Sequence, residues 1–169
     1  MGGHGSPSRF ILQNPVIVVE GTTQHIQKAE LARFARRAQK LAGVSGEIAV
    51  LIADNHRIRE LNRRFRKKNQ PTDVLSFPRQ SGGDIAISAE IALENAGRYG
   101  HAPLDELKIL VLHGMLHLAG HDHEKDRGEM AAQESSLRKK LKLPDSLIGR
   151  ARALRPSIGR GRRPGRKKR

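Results

Sequence analysis

An α+β (α/β) fold is predicted: a small mixed four-stranded sheet packed with about five helices. Three observations predict it. The first half of the chain alternates short apolar runs with helical periodicity, a strand–helix–strand–helix opening. Two further short strands follow, separated only by the six residues Pro78–Gly83, close enough to be antiparallel neighbours. The remainder carries helical patterns and no further strand. At 169 residues the chain suits one compact domain, assigned to residues 1–148 and followed by a basic tail over 149–169.

Taken in order, residues 1–9 are Gly-, Ser- and Pro-rich and receive no element. Val16–Glu20 is a short apolar strand, and Leu31, Phe34, Ala35, Ala38, Leu41 and Ala42 recur at helical spacing until Gly43 stops them. Ile48–Ala53 is too short for a stable helix and wholly apolar, as expected of a strand covered on both faces. Asp54 or Asn55 then caps a helix with Ile58, Leu61 and Phe65 on one face and Arg57, Arg59, Arg63, Arg64 and Arg66 around the rest. Pro71-Thr72 breaks that pattern, Val74–Phe77 forms a strand ended by Pro78, Gly82-Gly83 makes a loop, and Ile85–Ile87 is the fourth strand. Ser88 caps a helix to about Asn95. A longer helix runs from Pro103 to Gly120, and a last one over about Glu124–Leu141 turns Met130, Leu137 and Leu141 inward before Pro144 closes it.

Charge and composition narrow the function. The net charge of +15 points to a polyanionic partner, and residues 149–169 hold ten basic side chains and no acid. That segment has too little apolar surface to order itself and is expected to be a disordered tail adding non-specific phosphate affinity. Aromatic residues make up only 3%, so phosphate recognition is favoured over base stacking. The absence of Cys excludes disulfides and thiolate metal sites, leaving His, Asp and Glu as ligands. Neither a signal-type apolar region nor a membrane-length apolar run is present, so a soluble, cytoplasmic protein without membrane attachment is expected.

Four of the eight histidines fall between His113 and His123. His113 and His117 stand at i and i+4, projecting from one helix face as two ligands of one ion require. Gly120 follows where a left-handed residue would end the helix and bring His123 to the same ion. His121 comes too early for that spacing and is assigned to the loop, while Asp122 and Glu124 are candidates to orient an imidazole. Three nitrogen ligands with a fourth position open are the catalytic form of a zinc centre, and nickel or cobalt also suits such a set. The spacing H-x-x-x-H-x-x-G-x-x-H is that of a zincin-like metal helix, but Gly114 stands where metzincin peptidases carry their catalytic Glu. Peptide hydrolysis therefore falls to second place.

The segment Leu112–Glu124, LHGMLHLAGHDHE, resembles the signature of the bacterial YbeY-type endoribonucleases, also called rRNA maturation factors. Two upstream blocks are similar to that family as well: Leu61-Asn62 and Phe65-Arg66 leading to Pro71–Pro78, and then Gly83–Ser88. The resemblance spans about Val16–Leu141, and only the long basic tail departs from it. It implies a metal-dependent, single-strand-specific endoribonuclease that matures the 3′ end of 16S rRNA and acts in ribosome quality control. Its partners would be single-stranded RNA, rRNA and the ribosome or its small subunit. It further implies His113, His117 and His123 as ligands of one Zn2+ and Arg66 as the catalytic arginine, whose planar guanidinium can clamp a phosphate. No protein base is evident, and Asp73 is expected to bind backbone within the Pro-Thr-Asp turn. The competing functions are a zinc peptidase and a non-catalytic ribosome-assembly protein with a structural metal.

Overall fold

A computed structural model describes residues 15–21, 26–122 and 126–144. Four strands and five helices follow in the order β1 (Val16–Val19), α1 (Lys28–Ala42), β2 (Glu47–Ala53), α2 (Asn55–Arg66), β3 (Val74–Pro78), β4 (Gly82–Ser88), α3 (Ala89–Tyr99), α4 (Pro103–Leu118) and α5 (Glu129–Leu141). The sheet order is β1-β2-β4-β3, with β1, β2 and β4 parallel and β3 antiparallel to β4. This is the mixed α+β arrangement expected from the alternation of patterns. His123, Glu124 and the basic segment 149–169 lie outside the described residues.

Register decides which side chains share a face. Ile52, Ile87 and Val74 align across β2, β4 and β3, as do Val50, Ile85 and Ser76. Ile48, Val50, Ile52, Ile85 and Ile87 form the core with Leu31, Phe34 and Ala35 of α1, Leu110, Met115 and Leu116 of α4, and Met130 and Leu137 of α5. The opposite face presents Leu51, Ala53, Ala86, Leu75 and Phe77, covered by Ile58 and Leu61 of α2. β2 is therefore less completely enclosed than its apolar run suggests: Leu51 and Ala49 are only half-buried, because one mostly polar helix covers their side.

The helix boundaries follow local hydrogen bonding. Asp54, rather than Asn55, caps α2, its carboxylate accepting from the Arg57 amide at 2.8 Å. Ser88 caps α3 through the Ile91 amide at 3.1 Å and donates to Asn55 Oδ1 at 2.7 Å, tying the starts of α2 and α3 together. α3 continues to Tyr99, four residues beyond the expected end, and stops at Gly100 with φ +68°. Two further boundaries differ from expectation. Gly82-Gly83 is the start of β4 and not a loop, since a Cβ on Gly82 would lie 2.0 Å from the Glu47 carbonyl of β2; glycine permits the pairing that the sequence pattern obscures. α5 begins at Glu129 because Asp126 accepts from the amides of Gly128 and Met130, 2.8 and 2.7 Å away, and Gly128 is left-handed at φ +105°.

Lys108 on α4 donates to Glu30 Oε1 on α1 at 2.7 Å. This hydrogen bond and the Lys108 charge hold the Glu30 carboxyl below its ordinary value of 4.5. A carboxyl lowered in the folded state contributes stability above its unfolded pKa, and that contribution disappears as pH falls through the folded one. The gap in urea midpoint between the native chain and Glu30→Gln should be steady near neutrality and close as pH falls below 4.5. A gap independent of pH would contradict this role for the pair.

Candidate metal centre

α4 lays a largely apolar surface on the sheet, with Ile109 through Met115 almost wholly buried. Such burial places His113, only 6% exposed, next to the core, while His117 one turn later is half-buried. Their Nε2 atoms are 3.2 Å apart and the ring planes cross at 77°. Two nitrogens bound to one tetrahedral zinc at ordinary bond lengths stand about 3.3 Å apart, so this separation fits two ligands of a common ion.

His113 is oriented from behind. Its Nδ1 lies 2.8 Å from Oε2 of Glu134 on α5, a residue with no exposed surface. The other carboxylate oxygen accepts from Arg138 Nε at 2.9 Å, and Arg138 Nη1 donates to the Pro144 carbonyl at 2.6 Å. With Nδ1–H directed at Glu134, a neutral His113 ring turns the Nε2 lone pair toward His117. Sequence reasoning assigned this kind of orienting role to Asp122 or Glu124 and missed Glu134. The signal was available: position 134 lies four residues after Met130 and three before Leu137, so a carboxylate sits on the inward stripe of α5.

Gly114, between the two histidines, faces the sheet. A Cβ there would lie 2.8 Å from Ile85 Cγ2 and 2.9 Å from Cδ1, and Ile85 is itself fully buried. The position at which a peptidase would carry its base thus accepts a side chain only if Ile85 or α4 shifts. Gly114→Ala should destabilise the fold by about 1–2 kcal/mol, overpacking exceeding the gain in helix propensity. A urea midpoint equal to or above the native one would show that α4 can move off Ile85 without cost.

At the end of α4, Gly120 adopts φ +92° and the His121 amide donates back to the Leu116 carbonyl at 3.0 Å, turning the chain as the spacing anticipates. The third expected ligand, His123, lies beyond this turn and outside the described residues, within which no group of three His, Cys, Asp or Glu side chains is placed to hold an ion. Arg66, the last residue of α2, is exposed, and its Nη2 donates to the Ser76 carbonyl of β3 at 3.2 Å. Ser76 Oγ in turn lies 3.4 Å from the Gly114 carbonyl, beside His113. Ser76 therefore touches Arg66 through its carbonyl and the backbone of α4 at Gly114 through its hydroxyl. Asp73 Oδ1 accepts from the Val74 amide and the Thr72 hydroxyl at 2.8 and 3.1 Å, the turn role expected of it. Asp84 faces Arg79 across 3.4 Å, both half-exposed.

The chain is similar to known proteins over most of its length. Residues 16–142 match the family model described as Endoribonuclease YbeY. A protein named Endoribonuclease YbeY from Koribacter versatilis (strain Ellin345) is 53% identical over 138 residues, spanning 80% of this chain and 91% of its own. One of the same name from Solibacter usitatus (strain Ellin6076) is 48% identical over 132 residues, spanning 76% and 88%. The solution structure of TM1509 from Thermotoga maritima matches with a TM-score of 0.56 at 29% identity, covering 90% of this chain and 99% of that one.

Proposed function

The chain belongs to the endoribonuclease YbeY family, and on that premise we propose that it is a zinc-dependent, single-strand-specific endoribonuclease acting in 16S rRNA 3′-end maturation and ribosome quality control in the cytoplasm. The observation that carries the metal-dependent reading is the 3.2 Å approach of the His113 and His117 Nε2 atoms, with Glu134 holding the first ring in place. His123 completes the ligand set in this proposal. A zinc ion held there would supply Lewis acidity toward a phosphoryl oxygen or a bound water.

The protein's own groups divide the remaining work. Glu134 fixes the tautomer and plane of His113. Arg66, with Nη2 fixed on the β3 carbonyl, presents its guanidinium at the strand edge, where it can donate to a phosphate oxygen as negative charge accumulates. The substrate is single-stranded RNA, presented by rRNA on the ribosome or its small subunit. Against a peptidase stands the contact between Gly114 and Ile85, which disfavours the missing carboxylate sterically as well as by sequence. Among the described residues no helix is long and apolar enough to cross a membrane.

Elemental analysis of the purified chain, paired with cleavage of a short unstructured RNA with and without chelator, tests the proposal. Bound zinc and chelator-sensitive cleavage are expected. Full cleavage by metal-free protein would sink it. The end groups of the product separate two routes: a 2′,3′-cyclic phosphate identifies attack by the ribose 2′-OH, and a 5′-phosphate identifies attack by water.

A further inference from the structure

Among the described residues Phe65 is the only Phe, Tyr or Trp that stands exposed, with 54% of its surface open to solvent. Phe77 of β3 packs against the ring in a T-shaped arrangement at a centroid distance of 5.0 Å, and the Arg64 guanidinium lies over the ring, 5.3 Å from its centre, so that a base takes the face left open or displaces that cation. The surroundings are strongly cationic: Asn55–Lys68 holds seven basic side chains and one acid, Glu60. Arg64 also joins Arg57, Arg63 and Lys67 in lining a groove of about 500 Å³ along α2.

The edge strand runs between this surface and α4, the helix that carries the histidine pair. Successive residues of β3 point to opposite faces: Ser76 toward Gly114 of α4, and Phe77 toward Phe65 of α2. α2 and α4 thus lie on opposite sides of the sheet, and Ser76 of β3 carries one contact to each, its carbonyl to Arg66 and its hydroxyl to the Gly114 backbone. A ligand that follows the cations of α2 and reaches His113 must bend around a sheet edge. It must also offer anionic charge and a flat apolar face together. A flexible single strand does both, whereas a duplex keeps its bases paired and its axis stiff.

We propose that Phe65 is a stacking platform for one base of a single-stranded RNA whose phosphates track the arginines of α2 and whose chain crosses the β3 edge to the histidine site. The proposal rests on the ribonuclease reading and adds the element that selects unpaired substrate. It adds one stacking contact to the phosphate recognition that the low aromatic content favours. One exposed ring suffices where only one base must be held.

The chain has no Trp, so Phe65→Trp creates a single indole reporter that preserves a stacking surface. Its emission should be quenched by short oligouridine and left unchanged by a strand of equal length lacking bases. Phe65→Leu should weaken binding of oligouridine about tenfold or more while leaving the salt slope unchanged, because stacking is lost and no phosphate contact is. Its affinity for the base-free strand should stay at the native level. Arg63→Ala with Arg64→Ala should instead lower affinity for both strands and reduce the salt slope. Equal quenching by both strands, or a Phe65→Leu protein that binds oligouridine as well as the native one, would overturn the platform. The two readings fail differently: a native chain that neither binds nor cuts RNA removes both, whereas native cleavage with an indifferent Phe65→Leu removes the platform alone.

Discussion

On the proposed metal-dependent reading, His113→Ala should reduce RNA cleavage by about a thousandfold or more, because a bound metal would contribute several kcal/mol to the transition state and this substitution removes one of its proposed ligands. The same variant should lose stoichiometric zinc on dialysis. Its fold should survive, since the Glu134–Arg138 contact does not depend on the imidazole and alanine favours a helix interior. Added zinc should raise the melting temperature of the native chain through mass action and leave that of His113→Ala nearly unchanged. Arg66→Glu provides the contrast. It should abolish cleavage by placing an anion where the phosphate must come, yet retain metal and melting behaviour. Arg66→Lys should also be impaired, because a point charge lacks the planar fork that holds both a backbone carbonyl and a phosphate oxygen. If His113→Ala released its metal and still cut RNA at the native rate, the ion would be structural and the assembly-protein alternative would gain.

Much of this was legible before any coordinate. The i,i+4 histidines depend only on helix geometry, and the apolar stripe of α4 identifies the helix. Ser88 and Pro103 mark starts because their chemistry acts locally, within one turn. What escaped the sequence depends on distance along the chain. Glu134 stands 21 residues from His113, and periodicity assigns it a face without naming what that face meets. Gly82 reads as a loop residue because its reason for being glycine is the carbonyl of Glu47 on another strand. Gly114 was read as the absence of a catalytic carboxylate, whereas the structure gives it a positive role, allowing α4 to press its backbone against Ile85. Arg66 was indistinguishable from its neighbouring arginines by composition; only its contact with Ser76 sets it apart physically.

Glu134→Ala should have the largest effect on stability of any single substitution considered for this site, about 3–5 kcal/mol, because it breaks a buried ion pair and leaves Arg138, 2% exposed, without the Glu134 carboxylate. Such a loss is a large part of the stability of an ordinary domain, so the urea midpoint should fall steeply. The carboxylate also orients His113, and stability alone cannot separate the two roles. Replacing both partners can: Glu134→Leu with Arg138→Met removes the charges together and should recover most of the lost stability, as apolar replacements of buried ion pairs often do. Metal affinity should not recover with it. Competition against a chromophoric chelator should show zinc binding weakened about 10–100-fold in the double variant, since the Glu134 carboxylate no longer orients the imidazole through Nδ1. Glu134→Gln should fall between, keeping an oxygen for the ring while weakening the tie to Arg138. A double variant that is stable and binds zinc as tightly as the native chain would show that Glu134 serves the fold alone and that helix α4 aims His113 unaided.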